Sequence, residues 1–174
     1  MLFAKEDVEE GLRSLVDELV AVGANSTIYV VGGAAIALRV EREALTTDID
    51  ALYPPTADIQ AAAARVAAAK RWPPTWLNDA VKMWASHFDA DGDWEVHLAR
   101  ERVTIHVARP PLLLAMKLLA GRGLRDAWDI DLLLDACAVE SFDEAMALFE
   151  RYYPSEIMSP RALRQLRERF GGAT

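Results

Sequence analysis

Asp48 and Asp50 stand one residue apart in the run Thr46-Thr47-Asp48-Ile49-Asp50-Ala51-Leu52-Tyr53. On a strand, residues i and i+2 point to the same face, so the two carboxylates are expected to project side by side while Ile49, Ala51 or Tyr53 pack elsewhere. Two parallel carboxylates make a site for a divalent cation. Upstream, the apolar run Ile28–Val31 meets the paired glycines Gly32 and Gly33, and a short apolar helix follows. A backbone without Cβ can approach an anion closely, and the helix N-terminus behind it presents N–H groups. Metal and phosphate binding would then converge on one nucleotide.

A second group of candidates lies in the run from Arg109 to Ala136. Leu112 to Ala120 is so apolar that its one charge, Lys117, stands out. Such a lysine either snorkels to solvent or places a cation against a nucleotide's phosphates; in the second case Lys117→Met is expected to leave thermal stability near that of the wild type while cutting transfer at least about a hundredfold, and in the first to leave activity unchanged. Beyond Gly121–Gly123 come Arg125, Asp126 and Asp129, with the two aspartates at i and i+3 on one helix face. Taken alone, they read as a salt-bridged helix surface. The strand Val103–Val107 carries no carboxylate that could serve as a third ligand or as a base. His106 could act as base, or Asp126 could reach in from its helix. Otherwise His106, like His87 and His97, is a histidine on a sheet face with no role. Asp89-Ala90-Asp91-Gly92-Asp93 looks like the start of a calcium loop, but the position that needs a bidentate Glu holds Arg100, so a polar turn is expected.

These groups need elements to hold them. Val8, Leu12, Leu15, Val16, Leu19 and Val20 recur at helical spacing between Glu6 and Val22, with Gly23 at the C-terminal cap. Thr56 can cap an alanine-rich helix ending at Lys70. Trp76 to Trp84 reads as a short helical or irregular segment, and Trp94–Leu98 with Arg102–Val107 as a hairpin. Pro110 or Pro111 suits a helix start. Ser141 with Glu144 forms a capping box opening a helix to Tyr153, and Ser159-Pro160 opens a last helix that ends at Gly171.

The chain has 174 residues, 52% of them hydrophobic, enough for one domain with a proper core. A single domain over residues 1–174 is expected, with its core at 25–135 and C-terminal helices at 141–171. Cys137 is the only cysteine and cannot form an internal disulfide. The N-terminus is charged within its first residues, and no apolar run approaches the roughly 20 residues needed to span a bilayer. A cytoplasmic location without membrane contact is expected. The net charge of −8 argues against a protein that coats nucleic acid, though it leaves room for a local basic groove.

The order strand, Gly-Gly, helix, Asp-x-Asp strand resembles the signature of the nucleotidyltransferase superfamily, with its DNA polymerase β-like fold. Taken with W-L-N-D at Trp76–Asp79 and the Lys117–Ile130 motif, the stretch from Ile28 to Asp135 is similar to the small proteins of that fold related to the AbiEii abortive-infection toxins and the MenT toxins. The resemblance implies an α/β (α+β) domain with a short mixed sheet carrying Asp48 and Asp50 at one edge and helices after Pro110 closing the site. It implies transfer of a nucleoside monophosphate from a nucleoside triphosphate, with release of pyrophosphate. Asp48 and Asp50 would bind Mg²⁺ or Mn²⁺, while Gly32, Gly33, Lys117 and Arg125 would contact the nucleotide and Asp126 or Asp129 would complete the catalytic site. Many relatives have Gly-Ser where this chain has Gly32-Gly33, so Gly33 can offer only backbone. The implied acceptor is RNA, above all the 3′ end of tRNA, and the implied setting is a toxin with a cognate antitoxin. Arg122, Arg125, Arg161, Arg164 and Arg167 are the candidate RNA contacts. A protein acceptor is one rival, and a binding module that kept the fold without turnover is another.

Overall fold

Lys5–Ala21 forms α1, which buries Val8, Leu12, Leu15, Val16 and Leu19 along one face as the helical spacing requires. Gly23 follows at φ 67°, and the N–H groups of Gly23 and Ala24 donate back to Val20 and Leu19, which turns the chain out of the helix. The computed structural model describes residues 1–40, 45–54, 57–87 and 89–171, apart from the side chain of Arg125. The proposed Thr56 cap therefore lies outside the described residues.

Packing gathers the chain into two compact units, Met1–Lys82 with Trp94–Ala108, and Met83–Asp93 with Arg109–Thr174. The first holds a five-stranded mixed sheet built from β1 (Ser26–Val30), β2 (Ile49–Leu52), β3 (Leu77–Asn78), β4 (Trp94–Arg100) and β5 (Val103–Ala108), in the order β3-β2-β1-β5-β4. β1 runs parallel to β5 and antiparallel to β2, β3 is parallel to β2, and β4 with β5 forms the expected hairpin. The mixed α/β class is thus as expected, but β2 is not an edge strand, because the two-residue β3 lies outside it. Ile28, Val30, Ile49, Ala51, Val103, Ile105 and Val107 alternate onto the buried side of the sheet. α2 (Gly32–Arg39) follows β1 and α3 (Ala57–Lys70) follows β2. α3 lies along α1, where Lys70 pairs with Glu10 at 2.5 Å and Arg65 pairs with Glu18. Trp76 is fully buried below them, and its indole N–H donates to the Ala63 carbonyl at 3.0 Å.

The second unit is helical. α4 (Pro110–Ala120) opens with proline at its first position and ends at Gly121, which has φ 50°. α5 (Gly123–Ala136), α6 (Phe142–Tyr152) and α7 (Pro160–Phe170) follow, the last two capped by Ser141 and Ser159 through bonds from the Glu144 and Ala162 amides. Leu112, Leu113, Leu114, Leu118, Leu133, Phe149, Tyr152 and Leu166 make up its core. The polar turn expected at Asp89–Asp93 forms, with one difference: Asp93 is buried. Its carboxylate accepts from the Ala90 amide at 2.8 Å and from the Tyr152 hydroxyl at 2.6 Å, and it pairs with Arg151 at 3.2 Å. Among the described residues, no helix is long and apolar enough to cross a membrane.

Candidate functional site

The glycine turn and the aspartate strand meet in the first unit. Gly32 begins α2 at φ 65°, a conformation an L side chain enters only at a cost of roughly 1–2 kcal/mol. Here a Cβ would stand 2.7 Å from Asp50 Oδ2 and 3.2 Å from Asp50 Cβ. Glycine is therefore required twice over, by the backbone angle and by the carboxylate lying against it. The Val31 amide donates to the Asp50 carbonyl at 2.9 Å, which fixes the spacing between turn and strand. Val31 is the N-cap of α2 and makes no side-chain cap bond, and Gly33 continues the first helical turn. Gly32→Ala is expected to lower the melting temperature by a few degrees, from about 1–2 kcal/mol at about 2–4 °C per kcal/mol, and to displace the Asp50 carboxylate. Calorimetric melting together with metal titration checks both effects.

Asp48 precedes β2 by one residue, in a bend rather than on the strand itself. Its Oδ1 accepts from the Thr47 hydroxyl at 3.0 Å and its Oδ2 from the Asn78 side-chain amide at 3.1 Å. Asn78 is itself fixed, since its Oδ1 accepts from the Ala80 amide at 3.1 Å and it pairs in register with Asp50 on β3. Asn78 thus orients one carboxylate from the strand beside the other. The sequence shows it only as part of the W-L-N-D run, and nothing in that run marks it as a partner of Asp48. Both aspartates are half-buried.

Among the described residues, no group of three or more His, Cys, Asp or Glu side chains is gathered around a point that could hold a metal. Two hard oxygen donors are nevertheless the protein share that Mg²⁺ needs when phosphate and water supply its remaining ligands, and Asp48 and Asp50 stand one residue apart at the start of β2. Asp48 and Asp50 are donors of the kind such an ion takes.

Register places His106 on the same sheet face as Asp50, two strands away. Tyr29 pairs with Leu52 on one side and with His106 on the other, and the His106 ring stacks on Tyr29 at 5.0 Å. His97 lies on β4, where burial pulls its titration below the ordinary histidine range.

Lys117, Asp126 and Asp129 belong to the second unit, and the structure brings these three together. Lys117 neither snorkels nor lies free: the residue is only 9% exposed, and its Nζ sits 2.6 Å from Asp126 Oδ1 and 2.8 Å from Asp129 Oδ2. The aspartates are likewise buried rather than part of a helix surface, and they tie α5 to α4. Asp126 also accepts from the amide of Arg122, the N-cap residue of α5, at 2.5 Å. A carboxylate at that end of the helix complements its dipole. The Arg122 side chain is exposed, with Nε 3.8 Å from Asp126, and the side chain of Arg125 lies outside the described residues. On α7, Arg161, Arg164 and Arg167 are exposed, whereas Arg169 is paired with Asp131 at 3.1 Å and with Asp135. Cys137 closes α5, its thiol pushed up to about 11 by burial.

No protein-family model matches the chain, and no curated protein matches it either.

Proposed function

We propose that the chain is a metal-dependent nucleotidyltransferase. The observation that carries this reading is Gly32 lying against the Asp50 carboxylate, which brings the glycine turn and the aspartate strand together at one point. In this reading, Asp48 and Asp50 hold Mg²⁺ or Mn²⁺, which supplies charge neutralisation at the triphosphate. The backbone N–H groups of the Gly32-Gly33 turn, at the start of α2, would meet the phosphate oxygens. An acceptor hydroxyl oxygen bonds to the α-phosphorus, the bond from that phosphorus to the bridging oxygen breaks, and pyrophosphate leaves. The hydroxyl proton passes to a base, for which His106 is the candidate on the Asp50 face of the sheet. Lys117, Arg125, Asp126 and Asp129 enter by resemblance as the nucleotide-contacting cations and the downstream carboxylates. Their own geometry supports a further task for Lys117 and the two aspartates, as a buried ion triad joining α4 and α5.

By the same resemblance, the acceptor is RNA, with the 3′ end of tRNA favoured. The chain would then act in the cytoplasm as a toxin held by a cognate antitoxin. The test is incubation with Mg²⁺, each labelled nucleoside triphosphate in turn, total RNA and a protein lysate. Label on RNA supports the reading, label on protein alone replaces RNA with a protein acceptor, and no label with any triphosphate favours the binding module. The exposed arginines of α7 give a second check. Converting Arg161, Arg164 and Arg167 to Gln is expected to weaken RNA binding and to flatten its salt dependence by about one unit of slope for each phosphate that no longer meets a cation. Triphosphate binding, measured by calorimetry, is expected to stay intact.

A further inference from the structure

Two cavities open in the second unit, on either side of the segment that follows α6. One, of about 280 Å³, is walled by Trp84, Tyr152, Tyr153 and His87, with Met83 and Glu156 among its other lining residues. The other, of about 320 Å³, is walled by Met146, Phe149, Met158 and Leu163, with Ile157, Glu150 and Glu156 also lining it. Pro154 and Glu156 line both, so the cavities are neighbours along one surface. The rings of Tyr153 and Phe149 lie 5.6 Å apart, one lining each cavity. The Tyr153 hydroxyl is already committed to the Trp84 carbonyl at 2.6 Å, which fixes the aromatic wall in place.

The charged residues lining the two cavities are carboxylates, while Arg151, from outside the lining, lies over the Tyr152 ring at 4.9 Å. Among the described residues, no lysine or arginine lines either cavity, whereas Glu150 and Glu156 are both present. The nearby cation Arg151 is held by Asp93. Burial, and after it the carboxylates of Asp89 and Glu156, push the Tyr153 phenol upward, so negative charge reaches the aromatic wall. Aromatic walls beside a carboxylate attract an organic cation, while flexible methionines accept apolar side chains of varied shape. Ile157 is 88% exposed and Met83 80% exposed, large apolar groups that face water as matters stand.

We propose that this pair of cavities is the docking groove for a protein segment that presents a lysine or arginine beside apolar side chains, the cation entering the Trp84–Tyr153 pocket and the apolar groups the Met146–Met158 pocket. The groove lies wholly within the second unit, and the proposal does not depend on the nucleotide reading.

The probe is a short labelled helical peptide carrying Lys and Leu at i, i+4 spacing, compared by fluorescence anisotropy with the same peptide carrying Glu for Lys. The whole chain is expected to bind the Lys peptide and not the Glu peptide. Ile157→Asp and Glu156→Gln, both at exposed positions outside helices, are each expected to weaken binding by about tenfold or more without changing the circular dichroism. Glu6→Gln, which removes the same charge from α1, is expected to leave binding unchanged. Equal binding by wild type and both groove variants overturns the proposal. So does an equal loss in Glu6→Gln, which would show diffuse attraction to an acidic protein. A dimer of the wild-type chain in sedimentation that Ile157→Asp dissolves would also overturn it, by making a second copy the occupant.

Discussion

Lys117→Met is expected to destabilise the protein by about 3–5 kcal/mol, the scale of removing one partner from a buried ion pair. Asp126 and Asp129 would be left facing each other without the ammonium between them, in a site from which water is largely excluded. Domains of ordinary stability hold only about 5–15 kcal/mol in all, so the variant is expected to melt on the order of 10 °C below the wild type. Lys117→Met with Asp126→Asn and Asp129→Asn should regain part of the loss, since neutral amides need no counter-ion. The recovery is partial because an amide accepts the Arg122 N–H less strongly than a carboxylate does. Thermal melts of the single and triple variants check both statements. A single variant at wild-type stability would mean that the triad does not hold α4 to α5. Transfer rates for Lys117→Met are meaningful only well below its melting temperature.

The other large effect is on chemistry. Asp50→Asn and Asp48→Asn are each expected to reduce metal-dependent transfer by about a thousandfold or more, since each removes a charge that would hold the triphosphate's metal. Stability should hold or rise slightly, because one of two neighbouring like charges is gone. Asn78→Ala should cost less, about 10–100-fold, because it disturbs only the orientation of Asp48. Rates and melting curves taken on the same preparations separate these outcomes. If the Asp50 variant keeps full activity, the glycine–aspartate contact is structural and the site lies elsewhere.

Wherever a residue's role is local, it was legible in the sequence. The helical spacing in α1, the proline opening α4, the serine caps of α6 and α7 and the alternation in β5 all depend on near neighbours in the chain, whereas in β4 a register shift between Val96 and Leu98 breaks the expected alternation and leaves Val96 exposed. What was not legible depends on distant residues. β3 is two residues long, too short for any periodicity, so Leu77 and Asn78 looked like the start of a helix. Asp93 sits in a run of acidic residues that reads as solvated, and only Arg151 and Tyr152, far along the chain, show that it is buried. Lys117 was closer to readable. A helix apolar on all sides is a buried helix, and its one cation then needs carboxylates, which Asp126 and Asp129 supply. The division into two units left no linker signal, since the chain around Lys82 and Met83 is not rich in glycine, proline or serine.

That division bears on how the protein is made. β1 takes β5 as its parallel neighbour, so Ser26 waits for Val103 to be synthesised before the middle of the sheet can close. At roughly 5–20 residues per second, the delay on the ribosome is several seconds. By the end of that delay Met83–Asp93 has been made without α4 to α7, the rest of its own unit. Neither unit is a continuous stretch of chain: the first is complete only once Ala108 is made, and the second waits for the helices after Arg109. A release at Lys82 would yield a nascent chain that has β1 but lacks its central partner, an open strand edge for chaperones to shield or for neighbouring chains to join.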